Sequence, residues 1–402
     1  MVSKVSLKNL RIWNGVDETI DHGVDAVTFE NGCLTFIGSS EDLSTRAADS
    51  VVKGPPVKDM AGLFMIPGLI DAHIHLCLDP HIKDPLQQDK FTREELLAGM
   101  TDRARAMLEA GITSARDLGG GQWLELEIRD SINRGELIGP RLICSGQPIT
   151  SVKGHCHFWG GEAADGTEAL EVLTRQVEHK VDLIKVMATG GNITPGSRPA
   201  DAQFDEETLA LVVNIAKSHG LRVAAHCHGT SGIRNAAAAG VTTIEHCSWV
   251  GAEGWGQAFD PLVAVRIASQ GIWVSPTINS GWKRFADKGK FADLLKGNYA
   301  RMRKDGVKLI ASTDAGIPNV LHHHLPLAIP VFANFAGLTA TEALRAATSD
   351  CAEAIGLGEV VGQISEGYAA DFVLYEGDPT SDLEVLAAPV EVYKQGETVL
   401  TV

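Results

Sequence analysis

From about residue 66 the chain alternates short apolar, β-branched runs with amphipathic stretches, a pattern typical of repeated strand–helix units. The runs are LIDAHIHL (69–76), ITSARDL (112–118), RLICSG (141–146), LIKVMAT (183–189), RVAAHCH (222–228), TTIEHCS (242–248), IWVSPTI (272–278) and KLIASTD (308–314). Eight such strands predict an α/β fold, a closed (β/α)8 TIM barrel. An open doubly wound sheet is the competing topology. The barrel is favoured because polar residues recur at the C-terminal ends of at least five runs.

Helix signals fall between these runs. Thr92 and Glu95 form a capping box before an amphipathic stretch. Gly220 closes the stretch FDEETLALVVNIAKSHG and suits a C-terminal cap.

The flanks of the barrel have a different pattern. Residues 1–65 carry short alternating runs, with Asn31-Gly32 as a two-residue hairpin turn. The tail resumes that style in DFVLYEGDP and VEVYKQGETVL. We therefore expect residues 1–65 and 359–402 to form one small composite β-sandwich beside the barrel at 66–358.

Histidine is prominent among the polar residues at the strand ends. With 14 His in 402 residues, about 0.5 His-X-His triplets are expected by chance. The chain has four: His73/His75, His155/His157, His226/His228 and His322/His324. Alternate side chains leave a strand on the same face, so each pair can converge on one ion. With His246 and Asp314 at other strand ends, this clustering predicts a metal site assembled from distant segments.

Composition narrows the class of protein. The apolar fraction of 44% and charged fraction of 21% describe an ordinary globular chain with a large core. The net charge of −16 argues against binding nucleic acid. MVSKVSLKNL lacks an apolar signal core and no apolar run of about 20 residues is present, so we expect a cytoplasmic protein with no membrane partner. Seven Cys without a CxxC spacing do not suggest a disulfide scaffold.

Six motifs together resemble the amidohydrolase superfamily, within it the imidazolonepropionase-like and prolidase-like metal-dependent hydrolases. They are PGLIDAHIHL, the stretch from GGEAADG to IKVMATGGNITPGS, RVAAHCHG, TTIEHCS, STDAG and GYAADFVLYEGDP, in the family's order. The resemblance implies a binuclear centre, zinc in most members, bridged by a carbamate that CO2 forms on Lys185. The ligands it implies are His73, His75, Lys185, His226, His246 and Asp314.

The chemistry of these residues agrees with that ligand set. An ammonium has no lone pair and repels a dication, so Lys185 fits a metal site only as a carbamate; a buried ion pair is the alternative. Spacing leaves open which of His226 and His228 ligates, because both point the same way. The family register selects His226 as the ligand. His228 would then contact the substrate, support a metal ligand from behind, or simply pack. Asp314 suits proton transfer from water to a departing amine.

Loops carry the expected substrate contacts. His155, in a Gly-rich loop, resembles a carbonyl polariser, against the alternative of an imidazole bonded to backbone. Arg234 can hold a substrate carboxylate, against the alternative of a solvated surface residue. His322 matches a family His, whereas His323 and His324 depart from the family pattern. An aromatic wall is expected from Phe158, Trp159, Trp249 and Trp282.

These expectations define a binuclear metal-dependent amidohydrolase, carboxypeptidase-like, that cleaves an amide in a dipeptide or N-acyl amino acid by attack of a metal-bound hydroxide. Alternatives are a hydrolase of a cyclic amide, carbamate or phenylurea-type compound, and a metal-free barrel serving as a binding or assembly module. The resemblance also implies a homo-oligomer, such as an octamer.

Overall fold

A computed structural model describes residues 4–48 and 56–401, so residues 1–3, 49–55 and 402 of the expected flanking domain lie outside it. The first elements are short strands and one helix. They are β1 (Lys4–Lys8), β2 (Arg11–Ile12), β3 (Ala26–Glu30), β4 (Cys33–Gly38), α1 (Ser40–Ala48), β5 (Val57–Asp59) and β6 (Phe64–Pro67). Asn31 and Gly32 join β3 to β4 with φ of 53° and 78°, which confirms the predicted hairpin turn.

Strands then alternate with helices. The strands are β7 (Leu69–Ile74), β8 (Ile112–Asp117), β9 (Arg141–Cys144), β10 (Thr150–Ser151), β11 (Glu162–Ala163), β12 (Leu183–Met187), β13 (Arg222–Gly229), β14 (Thr243–Val250) and β15 (Trp273–Ser275). The helices are α2 (Arg93–Glu109), α3 (Leu124–Asn133), α4 (Gly166–Glu178), α5 (Glu206–Ser218), α6 (Thr230–Ala239), α7 (Pro261–Ser269), α8 (Lys290–Lys304), α9 (Leu325–Ala336), α10 (Ala340–Ala346) and α11 (Ser349–Ile355). Strands β7–β9 and β12–β15 form two parallel sheets.

Both helix-end predictions are confirmed. Thr92 and Glu95 form the capping box of α2, each side chain bonding the other residue's backbone. Gly220 follows the end of α5 with φ of 73°. That left-handed conformation favours glycine at this position.

The segment 308–314 differs from its expected regular strand. Ile310 N–H donates to Val274 O of β15 and Asp314 N–H donates to His73 O of β7, so the segment bonds to both parallel sheets. Side chains interrupt the ladder, because Thr313 N–H donates to Asp71 Oδ1. Asp314 also has φ of 60°, which lies outside the extended region of a β-strand.

The chain ends combine in two antiparallel-rich sheets. Strands β16 (Phe372–Tyr375), β17 (Glu391–Lys394) and β18 (Glu397–Thr401) complete a sheet in the order β18-β17-β16-β6-β2, and the second has the order β4-β3-β1-β5. They share one apolar core, in which Phe29 of β3 lies 5.8 Å from Phe372 and 5.9 Å from Tyr393 between ring centroids. Early and late segments are therefore packed together.

No single helix within 4–48 and 56–401 is long and apolar enough to cross a membrane. One pair, His322–Ala336 with Ala340–Ile355, meets the length and composition test only as two helices bent by 119°.

Candidate active site

The carboxyl ends of the parallel strands bring the predicted histidines together. His73 and His75, at the end of β7, have ring centroids 5.3 Å apart. Asp314 Oδ1 lies 3.3 Å from His73 Nε2 and 3.5 Å from His75 Nε2. Burial lowers the pKa of His75 to about 3, because the charged imidazolium is poorly solvated there. A neutral ring keeps a lone pair for a cation.

Strands β13 and β14 add three further imidazoles. Ligand atoms of His226, His228 and His246 lie within 4.8 Å of one another, as do those of His73, His246 and Asp314. His246 thus belongs to both groups. His226 Nε2 lies 3.0 Å from Gly190 O, and donation to that carbonyl leaves Nδ1 with a lone pair.

Backbone strain accompanies this part of the site. His246, Cys247 and Trp249 have φ of 66°, 49° and 51°, the left-handed region that costs side-chain-bearing residues about 1–2 kcal/mol each. The register of β13 against β14 shifts between Cys227 and Gly229. His246 thus lies in a strained stretch of β14 whose pairing with β13 is irregular.

Lys185 on β12 lies among these groups. Its side chain is about 1% exposed and its Nζ has no hydrogen-bond partner among the described residues. Burial lowers its pKa to about 8, although Glu245 and Asp314 act in the opposite direction. An unpaired buried amine is costly, and conversion to a carbamate would give it two oxygens that can bind cations.

A buried ion pair lies behind the histidines. Glu245 Oε2 lies 2.9 Å from His73 Nδ1, and Arg116 donates to Glu245 Oε1 at 2.8 Å. Arg116 also donates to Ala72 O and Thr243 Oγ1. Neither Arg116 nor Glu245 was predicted as a site residue from the sequence. The available signal was a charge inside each of two apolar strands, since charged side chains are almost never fully buried unless paired.

Three of the expected substrate contacts are buried near the cluster. His155 Nδ1 lies 3.1 Å from Thr194 Oγ1, and its ring centroid is 4.6 Å from that of His226. His228 Nδ1 lies 2.9 Å from Ser248 Oγ. His322 Nε2 donates to His75 O at 3.0 Å, supporting the ligand strand from outside the cavity.

Arg234 lies elsewhere. Its guanidinium donates to Asp260 at 3.0 Å, its side chain is 52% exposed, and it does not line the cavity described below. His323 and His324 meet edge to face with ring centroids 4.6 Å apart, half-buried next to His322 in the chain.

A cavity of about 560 Å³ opens onto the cluster. Two of the expected aromatic residues, Trp249 and Trp282, line it, whereas Phe158 and Trp159 do not; Trp159 packs on His75 with centroids 5.2 Å apart. The sequence analysis missed the other apolar and aromatic residues of its wall. They include Trp255, Phe285, Phe291, Leu295, Tyr299 and Met302.

Comparisons with known proteins agree with this fold. The amidohydrolase family profile matches residues 64–400. Ochratoxinase of Aspergillus niger is 27% identical over 413 residues, covering 92% of this chain and 82% of its own. Imidazolonepropionase of Mesorhizobium japonicum is 24% identical over 424 residues, covering 93% and 94%. A crystal structure of a Xaa-Pro dipeptidase with bound methionine has a TM-score of 0.83 at 24% identity, covering 98% and 99%.

The chain belongs to the amidohydrolase family. It is a hydrolase of the class that acts on carbon–nitrogen bonds, and the predicted superfamily is confirmed.

Proposed function

We propose that this protein is a binuclear metal-dependent amidohydrolase that cleaves the amide bond of an N-acyl amino acid or dipeptide with an apolar or aromatic group. The observation that carries the proposal is the convergence of His73, His75, His226, His246, Asp314 and Lys185 on one cavity. Neutral imidazoles and carboxylates are ligands that zinc accepts.

The fit of the ligands to cations follows from their charges. When His73 Nδ1–H donates to Glu245 Oε2, the lone pair of the neutral ring is on Nε2, which lies 3.3 Å from Asp314 Oδ1. Two electron-rich atoms at that distance repel each other unless a proton or a cation lies between them. The unpaired Nζ of Lys185 fits a bridging carbamate. Divalent cations bound here would acidify water and polarise a substrate carbonyl oxygen.

Asp314 and His155 complete the chemistry. Asp314 accepts a proton from the attacking water and delivers it to the departing nitrogen. Thr194 Oγ1 accepts from Cys156 N–H and can donate to His155 Nδ1. In that tautomer His155 Nε2 carries the proton and can donate to the carbonyl oxygen of the substrate.

The cavity supports the substrate class. Its wall is mainly apolar and aromatic, and 560 Å³ is within the range of small-molecule sites. Two of the relatives are named for action on specific compounds, as an ochratoxinase and a Xaa-Pro dipeptidase. Both names are compatible with an amide substrate of this kind.

The architecture we propose is a closed (β/α)8 barrel at 66–358 with a β-sandwich from 1–65 and 359–402. Hydrogen bonds from 308–314 to both β15 and β7 support closure on one side. On the other, Ile149 N–H donates to Lys185 O of β12, and Asp182 N–H donates to Cys144 O of β9. A homo-oligomer stays a prediction, which sedimentation velocity can check.

The test is hydrolysis by zinc-loaded protein of a panel of N-acyl amino acids and dipeptides, with products identified by mass spectrometry. We expect activity that a chelator abolishes and zinc restores. Replacing His246, common to both ligand groups, with Asn should remove activity and lower the zinc content measured by elemental analysis. The proposal fails if the metal-loaded protein hydrolyses none of the panel, or if metal-free protein is equally active.

A further inference from the structure

Arg284 lies on the cavity wall. It belongs to the 3₁₀ helix Ser280–Phe285 that follows β15. Among the described residues that line the cavity, only Arg284 and Lys185 are Lys or Arg, and Lys185 is buried among the candidate ligands. We infer that Arg284 binds a carboxylate of the substrate and so selects N-acyl amino acids or dipeptides over neutral amides. This inference rests on the function proposed above.

The guanidinium of Arg284 is available for such a contact. Its central carbon lies 4.6 Å from the ring centroid of Phe285, and the side chain is exposed. Stacking on a ring uses the face of the guanidinium and leaves its edge N–H groups open. Across residues 4–48 and 56–401 no carboxylate forms an ion pair with it. A paired carboxylate contact suits that open edge.

The short helix is anchored to the segment that carries Asp314. Asn279 caps the helix by accepting from Gly281 N–H at 3.1 Å, and donates to Thr313 O at 3.3 Å. Trp282 packs edge-on against Phe335 of α9, with centroids 5.4 Å apart. The helix that carries Arg284 is therefore anchored beside Asp314, the residue proposed to transfer the proton. Such an arrangement would orient an amide between Arg284 and Asp314.

The net charge of the protein gives a second reason to expect a positively charged side chain dedicated to the substrate. The net charge of −16 disfavours the approach of anions, so an anionic substrate needs a local positive group. Arg234, the arginine expected from the sequence, is neutralised by Asp260 outside the cavity. Arg284, by contrast, lines the cavity and forms no ion pair with a described carboxylate.

The experiment compares two ligands that differ only in the carboxylate. N-benzoyl-L-phenylalanine and N-phenethylbenzamide serve as substrates, and their ketomethylene analogues, which are not hydrolysed, serve for calorimetric binding to zinc-loaded protein. Variants are Arg284→Gln, Arg284→Lys and the control Lys283→Gln. Lys283 is on the same 3₁₀ helix, its side chain is 61% exposed, and it does not line the cavity.

Wild type should bind the carboxylate analogue about 10- to 100-fold more tightly than the neutral one. Arg284→Gln should remove that preference through a higher KM for the carboxylate substrate, with the neutral ligand within about 2-fold of wild type. Arg284→Lys should keep part of the preference, because a lysine retains the charge but not the paired geometry. Lys283→Gln should keep all of it.

Several results would overturn the inference. One is equal binding of both analogues, or of neither, by wild type. Another is a preference that survives Arg284→Gln, or one that is lost in Arg234→Gln instead. Melting curves check folding, and Arg284→Lys serves if the glutamine variant does not fold. Arg284-dependent binding of the carboxylate analogue without any hydrolysis would refute the proposed function, while Arg284 would still be shown to bind a carboxylate in the cavity.

Discussion

Glu245 Oε2 accepts a hydrogen bond from His73 Nδ1 at 2.9 Å in a fully buried environment. The bond fixes the ring tautomer, so that Nε2 is left to face Asp314. Arg116 holds the other carboxylate oxygen at 2.8 Å and connects this pair to the backbone of β7 through Ala72 O. A residue that touches no substrate thus controls the orientation of a candidate ligand.

Replacing Glu245 with Gln should weaken metal binding by about 10- to 100-fold, since partners behind a ligand typically contribute that much. It should also lower the free energy of unfolding by about 3 kcal/mol, because Arg116 loses its buried counter-charge. Zinc competition titrations and urea denaturation measure the two effects. The control is Glu253→Gln, at an exposed position. Unchanged zinc affinity in the Glu245 variant would contradict the proposed role.

Lys185→Met should have opposite effects on the metal-free and metal-loaded protein. The metal-free variant should be more stable by about 1–3 kcal/mol, because it no longer buries an unpaired amine. The loaded variant should bind less zinc and lose activity, because no carbamate can form. Urea denaturation with and without zinc, together with elemental analysis, separates the two states. Destabilisation of the metal-free variant would show that the amine has a partner.

Glu125 makes stability depend on pH. Burial, with a further contribution from Asp117, raises its pKa to about 8, and neither carboxylate oxygen has a partner among the described residues. The folded state therefore holds this proton more tightly than the unfolded state, whose ordinary value is 4.5. Its stabilising contribution is present below pH about 4.5 and is lost as pH rises towards 8, by up to about 1.4 kcal/mol per unit.

Glu125→Gln, which cannot ionise, should consequently stabilise the protein more at pH 8 than at pH 5. Urea denaturation at both values tests this. Glu127→Gln on the same helix breaks a half-exposed ion pair with Arg93 and should cost less than about 1 kcal/mol. An equal increase in the free energy of unfolding at both pH values would rule out ionisation of Glu125 as the cause.

Gly191→Ala should disturb His155, because a Cβ at this position would lie 2.4 Å from the imidazole ring. A displacement of about 1 Å in a catalytic group can cost about 100-fold in rate, so kcat/KM should fall by that order with zinc content unchanged. Gly297→Ala, on α8 with open space around the new methyl, is the matched control. Full activity of the Gly191 variant would argue against a role for His155 in the reaction.

Periodicity was sufficient to locate most of the fold. The runs containing His73, Lys185 and His226 begin at or next to the residues where β7, β12 and β13 begin, because buried parallel strands are nearly continuous apolar stretches. The run 308–314 failed as a regular strand, because the Asp71 side chain takes a ladder bond. The side chain that replaces the backbone acceptor belongs to Asp71, which is 242 positions away from Thr313 in the sequence.

At the site too, local sequence features were predictable, whereas contacts between distant elements were not. Histidine spacing on a strand is a local property, so His73 and His75 were readable from the sequence. Pairing of Arg116 with Glu245, and of Arg234 with Asp260, depends on how separate elements meet. Local pattern assigned a substrate carboxylate to Arg234, because it cannot show that Asp260 neutralises this guanidinium. Arg284 stood in a loop without a motif to mark it.

The left-handed backbone of His246, Cys247 and Trp249 has an implication for engineering. Conformational energy held in the end of β14 is recovered if that segment relaxes, so libraries screened for heat resistance should accumulate changes there that flatten the strand and inactivate the enzyme. Heat-resistant variants that keep their activity should instead carry their substitutions in the outer helices and the terminal sheets.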